Sequence, residues 1–289
     1  MLTYILLGLT IGAIYALIAV GFSLIFETVK LLHFAQGDLL MIGGFIALSL
    51  IAVFGFNPIV VGIGTMLALG LFAAFLQRIV YNSVPAHLVP VRIMSTLGIG
   101  MALRNAASLI WGAKAHNMPE EFFPGGPVNL IGLTIRPGYY WTLIVSLVVM
   151  ALLLWFLYRT KIGLATRTVA YRYDIAEMLG VNPLLLCTLS FGIAGALAGI
   201  SGILVSPQTF VHFHMGPALN QKGFTAAVLG GLGSIPGGIL GGFTLGLIET
   251  FGGILIPSGY QDVISFVILV CVLFIRPQGL LGQVHREKL

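Results

Sequence analysis

The sequence has very little charge. Only 8% of its residues are Asp, Glu, Lys or Arg, whereas 58% are hydrophobic. A soluble domain carries about 25% charged residues, so a lipid bilayer must be the solvent for much of this apolar surface. The length of 289 residues leaves room for about eight spans of roughly 20 residues each. We therefore predict an all-α integral membrane protein with one transmembrane domain, residues 1–289.

Several chemical signatures are also missing. The two cysteines, Cys187 and Cys271, lie in apolar stretches, so neither a disulfide framework nor a metal site is expected. His212 and His214 have no further metal-ligand residues beside them. There is no G-x-x-x-x-G-K-[ST] phosphate loop, so we predict neither an enzyme nor a cofactor. Apart from Arg104, the basic residues lie outside the predicted spans, which indicates membrane topology rather than nucleic-acid binding. No cleavable signal follows Met1, so the first span should be retained.

Apolar stretches alternate with polar loops along the chain. One stretch is interrupted by GGLGSIPGG at 230–238, which should break a helix. We predict two half or full helices there, a broken or re-entrant pair between Gly230 and Gly238. Glycines at three- and four-residue spacing, such as Gly8 with Gly12, favour close helix packing in lipid. The other spans are predicted at 2–26, 39–54, 58–77, 93–111, 139–158, 184–206 and 263–275, and the interrupted stretch at 224–256.

Two polar features lie close to the spans. The segment 27–38 is either a surface loop or a break inside the membrane. Non-helical backbone at membrane depth is tolerated only where protein or water satisfies it. Arg104 lies within the span 93–111, and we expect it to snorkel or to form a structural pair rather than to bind a substrate.

The basic segments determine the expected orientation. Residues 78–92, 159–183 and the tail after Ile275 are basic and should be cytoplasmic by the positive-inside rule. The neutral loop 112–138, with a hairpin expected around VNLIGLTIRPG, should then be external. An even number of crossings must separate the basic segments, so 224–256 contributes two. Counting back places the N-terminus outside.

The loop 159–183 carries six charged residues between two apolar spans. The segment from Asp174 to Gly180 should form a short helix that ends before Asn182 and Pro183. Ile175, Met178 and Leu179 can share one face of it. From the residues alone, this helix is either an interfacial anchor or a helix that inserts into a groove of a cytosolic partner.

Five sequence blocks, in the same order, resemble the permease subunit of branched-chain amino acid ABC transporters of the LivH type. The resemblance covers nearly the whole chain and implies a type II ABC importer-like fold. Three positions or groups depart from the family pattern: His33 with Gln36, Glu27 with Lys30, and Tyr171-Arg172. The blocks are GAIYALIAVGFSLIF at 12–26, LLHFAQGDLLMIGG at 31–44, AEMLGVNPLLLCTLSFGIAGALAGISGIL at 176–204, KGFTAAVLGGLGSIPGGILGG at 222–242 and IRPQGLLG at 275–282.

The resemblance implies what the loop 159–183 does and which partners the chain has. In that family the loop holds the coupling helix that docks on the ATPase. The implied partners are a second permease subunit, identical or paralogous, two cytosolic ATP-binding subunits and an external solute-binding protein. The implied location is the bacterial inner membrane, with several crossings. The residues expected to couple to the ATPase are Arg172, Asp174, Ala176, Glu177 and Gly180.

The predicted function is import of branched-chain or other small hydrophobic amino acids. Two alternatives remain: the same importer class with urea, amide or aromatic-acid cargo, and an ion-coupled secondary transporter, which usually keeps carboxylates within its spans. A channel is disfavoured because no selectivity-filter-like sequence is present. The residues expected along the translocation pathway are Tyr15, His33, Gln36, Asp38, Gly230 and Gly233.

Overall fold

The computed structural model describes residues 1–55, 57–85, 87–130, 133–255 and 261–282. In these ranges the chain is predominantly helical, and the one hairpin pairs β1, Val128–Leu130, antiparallel to β2, Leu133–Ile135, as predicted. The described α-helices are α1 Leu2–Val29, α2 Gln36–Phe54, α3 Pro58–Ile79, α4 Val89–Ile110, α5 Pro137–Arg159, α6 Lys161–Tyr171, α7 Tyr173–Met178, α8 Pro183–Val205, α9 Met215–Gly230, α10 Ile235–Leu255 and α11 Gln261–Ile275.

Seven described helices are long and apolar enough to cross a membrane, namely α1 to α5, α8 and α10. α11 is apolar but has only 15 residues, and α9 has 16. The all-α membrane fold is confirmed. If α11 is counted with the seven longer helices, the number agrees approximately with the eight spans that were predicted. α6 and α7 occupy the polar loop between α5 and α8.

α1 and α10 approach each other closely because glycines lie where they meet. A Cβ atom on Gly12 would lie 2.9 Å from the Cα atom of Phe243, and one on Gly8 would lie 3.0 Å from the side chain of Leu247. Further along α1, Ala19 faces Gly238. The two helices are therefore antiparallel, and the small residues allow the backbone contact that stabilises helix pairs in lipid.

α3 and α8 form a second close pair. Gly70 lies against the carbonyl of Gly192, and Gly199 lies against the carbonyl of Thr65. The positions run in opposite directions along the two helices, so this pair is also antiparallel. The small residues of α8 allow this close approach of the two backbones.

α2 begins well inside the bundle rather than at the end of α1. Lys30 ends α1 with a positive φ of 53°. The side chain of Gln36 then packs on Gly21 and donates a 2.9 Å hydrogen bond to the carbonyl of Ala194 in α8. Gly21 precedes the end of α1 by about two turns, or about 12 Å. Residues 30–35 therefore turn back along α1, which agrees with a break inside the bundle and not with a surface loop.

The loops at each end of the bundle contact one another. At one end His116 and Val211 exchange two 2.9 Å backbone hydrogen bonds, which joins the α4–α5 loop to the α8–α9 loop. At the other end the Cys187 thiol near the start of α8 lies 3.8 Å from the carbonyl of Thr28, near the end of α1. α6 also contacts α1 at that end. The loop 159–183 and the end of α1 thus share one end of the bundle.

The contact between α1 and α10 predicts the effect of a single methyl group. A Cβ atom on Gly242 would collide with the backbone of Ala16, and such overpacking costs about 1–3 kcal/mol. We expect Gly242→Ala to lower the thermal unfolding temperature of the detergent-solubilised protein.

The matched control is Gly98→Ala in α4, where a Cβ atom has no heavy atom within 4 Å. We expect its unfolding temperature to equal or slightly exceed that of the parent, because Ala is a better helix former than Gly. Equal destabilisation by the two substitutions would show that the α1–α10 contact is not tight.

Candidate functional site

The break between α1 and α2 is held by His33. Its side chain is fully buried, and its Nε2 atom lies 3.0 Å from the hydroxyl of Tyr81. The rings of Tyr81 and Phe191 meet the imidazole edge-on, each at a centroid distance of 5.2 Å. These contacts fix the non-helical segment in place.

The first turn of α2 is tied to two other helices. Gln36 bonds to the carbonyl of Ala194 in α8, as described above. The backbone N–H of Gly37 donates a 2.8 Å hydrogen bond to Oδ1 of Asn220 in α9. Because lipid offers no hydrogen-bond partners, polar groups at the start of a helix inside a membrane protein must be satisfied by the protein, and these two bonds do so. Gln36 therefore positions the start of α2.

Asp38 pairs with Arg104 of α4. The Nε atom of Arg104 lies 3.1 Å from Oδ1 of Asp38, and the Asp38 side chain is almost completely buried. Gly100 and Gly216 lie directly against the Asp38 carboxylate, where a Cβ atom would crowd it. The structural pair expected of Arg104 is confirmed, and its partner is Asp38, which the sequence did not identify.

A cavity of about 180 Å³ lies beside this ion pair. Helices α2, α4 and α9 all contribute to its wall, together with the break before α2. The wall combines one acid, one base and two amides with apolar side chains, a composition typical of sites for small polar ligands with an apolar part. The lining residues are Phe34, Asp38, Leu97, Arg104, Pro217, Asn220, Gln221 and Phe224.

A second ion pair lies between α9 and α10. The ammonium group of Lys222 bonds to Oε1 of Glu249, and both side chains are largely buried. Lys222 also lies 5.8 Å from the ring centroid of Tyr15 in α1, within the range of a cation–π contact. Tyr15 therefore belongs to this charged cluster rather than to the wall of the cavity.

Residues 231–234 connect α9 to α10 and confirm the break predicted between Gly230 and Gly238. The segment after α11 packs on this turn. The N–H groups of Leu280 and Leu281 donate to the carbonyls of Leu229 and Gly230 at 2.8 and 2.9 Å. The carbonyls that the break leaves without helical partners are thus satisfied by the chain itself.

The start of α10 is capped by a side chain. Oγ of Ser234 accepts from the N–H of Gly237 at 3.1 Å, which caps the helix. Gly233 has a φ of +87° and contacts Phe26. Gly230 packs against the backbone of Gly237. This arrangement favours a packing role for the turn over contact with a ligand.

The loop between α5 and α8 contains one helix more than predicted. α6 begins after Thr160, whose Oγ1 accepts from the N–H of Gly163 at 3.0 Å. Gly163 packs on the backbone of Phe156 and Leu157, so α6 folds back on α5. The threonine cap followed by apolar residues at helical spacing is the signal that identifies α6 in the sequence.

α7 is the short helix predicted from Asp174 to Gly180. Ala176 is its buried residue and packs with Val169, Leu186 and Cys187. Met178 is 85% exposed. As predicted, the helix stops before Asn182 and Pro183, where Oδ1 of Asn182 caps α8. The other residues expected to couple to an ATPase, Arg172, Asp174, Glu177 and Gly180, are all exposed.

The structure separates the six residues expected along the pathway. Asp38 lines the cavity, whereas Tyr15 lies in the second charged cluster. His33 and Gln36 hold the break, and Gly230 and Gly233 build the α9–α10 turn. The sequence missed Asn220 as a cavity residue, because residues 207–223, between two predicted spans, show no clear helical pattern; α9 begins within them, at Met215.

The two neighbouring histidines bond to each other. The backbone N–H of His214 donates to Nδ1 of His212 at 3.3 Å. Among the described residues there is no group of three or more His, Cys, Asp or Glu that could hold a metal ion.

The described bundle has seven helices long and apolar enough to cross a membrane, and it encloses broken helices and ion pairs. Broken helices of this kind are common in membrane transport proteins.

Comparison with known proteins identifies the family. Residues 4–273 match the family described as branched-chain amino acid transport system / permease component, and the chain belongs to this family of ABC transporter permeases. The high-affinity branched-chain amino acid permease proteins BraD of Pseudomonas aeruginosa and LivH of Escherichia coli K12 are 33% and 30% identical to it. LivH of Salmonella typhimurium is 31% identical. Each alignment covers 97% of this chain and 95% of the relative. No solved structure matches.

The buried pair of Lys222 and Glu249 predicts a non-additive pattern of stability. Removing one partner leaves an uncompensated buried charge, which costs about 3–5 kcal/mol, whereas replacing both with apolar residues is often neutral. We expect Lys222→Met and Glu249→Leu each to destabilise the protein strongly, and the double variant to regain most of the lost stability.

Thermal unfolding of the four proteins in detergent measures this cycle. A double variant as unstable as the sum of the single variants would contradict the pairing.

Proposed function

We propose that the chain forms the translocation pathway of an ATP-driven ABC importer for branched-chain or other small hydrophobic amino acids. The three relatives above are named as high-affinity branched-chain amino acid permeases. The sequence has no phosphate loop of its own, so ATP is hydrolysed by a partner polypeptide. The main observation behind the proposal is the helix α7, which is buried against the bundle at Ala176 and exposed to solvent at its other residues.

α7 has the properties of a docking helix. Met178 and Leu179 are 85% and 68% exposed beside the charged side chain of Glu177, a mixture that suits a groove on a protein partner. Ala176 is fully buried, so it anchors the helix rather than touching the ATPase. Arg172, Asp174 and Gly180 complete the exposed coupling surface.

α7 is in direct contact with the helix bundle, so a movement of α7 can be passed on to the spans. Ala176 packs on Leu186 and Cys187 at the start of α8, and α8 packs on α1, α2 and α3. The Cys187 thiol lies against α1 at Thr28. Rigid contact of this kind lets closure of an ATPase dimer be transmitted to the spans.

The sidedness follows from the basic residues of the loop. We place the loop 159–183 in the cytoplasm by the positive-inside rule and the loop 112–138 outside. The contact of Thr28 with Cys187 supports a cytoplasmic end for α1, and hence an external N-terminus. His116 and Val211 support a shared external end for the α4–α5 and α8–α9 loops.

The assembly we propose follows from the family. It contains two permease subunits, identical or paralogous, two cytosolic ATP-binding subunits and an external solute-binding protein. α3 and α4 are mainly exposed along their spans. Their apolar surfaces are therefore available to lipid and to the second permease subunit.

The carboxylates argue against an ion-coupled carrier. Such carriers usually keep coupling carboxylates within their spans, and the two acids buried in the described bundle, Asp38 and Glu249, each face a base. Arg104 and Lys222 neutralise them. Energy supplied by a separate ATPase agrees better with this pairing.

The docking surface predicts an uncoupled variant. Glu177→Arg reverses a charge on the exposed face of α7 without disturbing the buried Ala176. We expect less ATPase subunit to co-purify with this variant, and we expect substrate uptake to fall at least about tenfold, the loss that a 1.4 kcal/mol weakening produces.

The matched control is Glu121→Arg, the same charge reversal at an exposed position in the loop 112–138. It should co-purify with the ATPase as the parent does. If Glu177→Arg co-purified with the ATPase subunit and supported uptake as well as the parent does, α7 would not be part of the ATPase interface.

The proposed orientation predicts the access of a membrane-impermeant thiol reagent. In a Cys271→Ser background, which removes the exposed native thiol, Asn129→Cys should react in intact cells. Met178→Cys should react only after the membrane is opened. The reverse pattern would invert the topology.

A further inference from the structure

The cavity beside Asp38 and Arg104 is the feature of the molecule that nothing above assigns to a ligand. We propose that it is a transient binding site for a zwitterionic α-amino acid, whose ammonium group binds Asp38 and whose carboxylate binds Arg104. This inference rests on the proposed function and specifies the chemistry that the pathway recognises.

The ion pair has unused bonding capacity. Oδ1 of Asp38 accepts no hydrogen bond within the part of the chain that the structure describes, although Nε of Arg104 lies 3.1 Å from it. That Nε atom donates instead to the carbonyl of Gly100 at 3.3 Å. The described hydrogen bonds of Arg104 use Nε alone, which leaves its terminal nitrogens for a carboxylate, the bidentate partner that guanidinium prefers.

The charges of the site match those of a zwitterion. An amino acid brings one ammonium group and one carboxylate. The ammonium group replaces Arg104 as the partner of Asp38, and the carboxylate replaces Asp38 as the partner of Arg104. No buried charge is therefore left uncompensated. A lone cation or anion satisfies one member and strands the other. The site therefore selects ligands that carry both charges, which urea, amides and aromatic acids do not.

The rest of the wall suits a small apolar side chain. Phe34, Leu97 and Phe224 line the cavity. Its volume of about 180 Å³ corresponds to about six water molecules at roughly 30 Å³ each, below the range of about 300–1,000 Å³ typical of sites for drug-sized ligands. This volume suits a small amino acid.

The location also suits a step in transport. The wall joins the break before α2, the span α4 and the start of α9, three elements that converge at this point. Substrate sites in transporters are commonly formed where helices are interrupted. Binding here exchanges ionic partners between α2 and α4, so ligand entry is coupled to the contact between those helices.

The test uses thiol protection in the full-length chain reconstituted in lipid nanodiscs. Leu97→Cys in the Cys271→Ser background places a reactive thiol on the cavity wall, and leucine is the probe. We expect leucine to slow alkylation of this thiol. Leucinamide lacks the carboxylate, and isocaproate lacks the ammonium group. To slow alkylation to the same extent, each should need a concentration at least about tenfold higher than leucine does. Equal protection by all three compounds, or none by leucine, overturns the proposal.

Variants separate binding from a purely structural role of the ion pair. Asp38→Asn should abolish protection by leucine, whereas Glu121→Gln, at an exposed acid, should keep it. The double variant Asp38→Asn with Arg104→Gln removes both charges and enlarges neither side chain, and replacing both members of a buried pair is often nearly neutral for stability. We expect this double variant to reach the membrane and fold, yet to lose protection. Full protection in the folded double variant would show that the pair only joins α2 to α4.

Leucine uptake by the complete transporter distinguishes this proposal from the proposed function. Uptake without protection of the thiol refutes the cavity site and leaves the importer standing. Protection without ATP-dependent uptake refutes the importer and leaves the cavity site standing.

Discussion

The interior of a bilayer offers no water to backbone amides, and this constraint governs the two places where the described bundle departs from helix. Each unsatisfied amide or carbonyl in hydrocarbon costs several kcal/mol, so each break must be enclosed by protein. The segment 30–35 is enclosed by α1, α3 and α8, with His33 against Tyr81 and Phe191. The turn 231–234 is enclosed by the chain after α11, which bonds to its carbonyls.

Charge is handled under the same constraint. Asp38 with Arg104 and Lys222 with Glu249 are pairs whose members come from different helices. Each pair keeps two charges inside the bundle with little net charge, as low-dielectric burial requires. Both pairs join an element beside a break to a neighbouring span. A change in the packing of the broken helices therefore alters the environment of an ion pair.

The sequence predicted the features that depend on local pattern. Hydropathy located the spans, Asn182 and Pro183 located the start of α8, and the spacing of Gly8 and Gly12 predicted that α1 packs closely on another helix. Features that depend on distant partners were not predicted. Asp38 meets Arg104 only because α2 begins deep in the bundle, and nothing local in the sequence indicates that depth. Asn220 was assigned to a polar stretch because α9 begins within it, at Met215.

The central claim is that ATP hydrolysis by a partner subunit drives uptake, and reconstitution tests this claim most directly. The chain would be purified with its partner permease and ATPase subunits, placed in liposomes and supplied with the solute-binding protein and labelled leucine. We expect uptake that requires ATP and is insensitive to ion gradients. Uptake by the chain alone, driven by a proton or sodium gradient without ATPase subunits, would contradict the account.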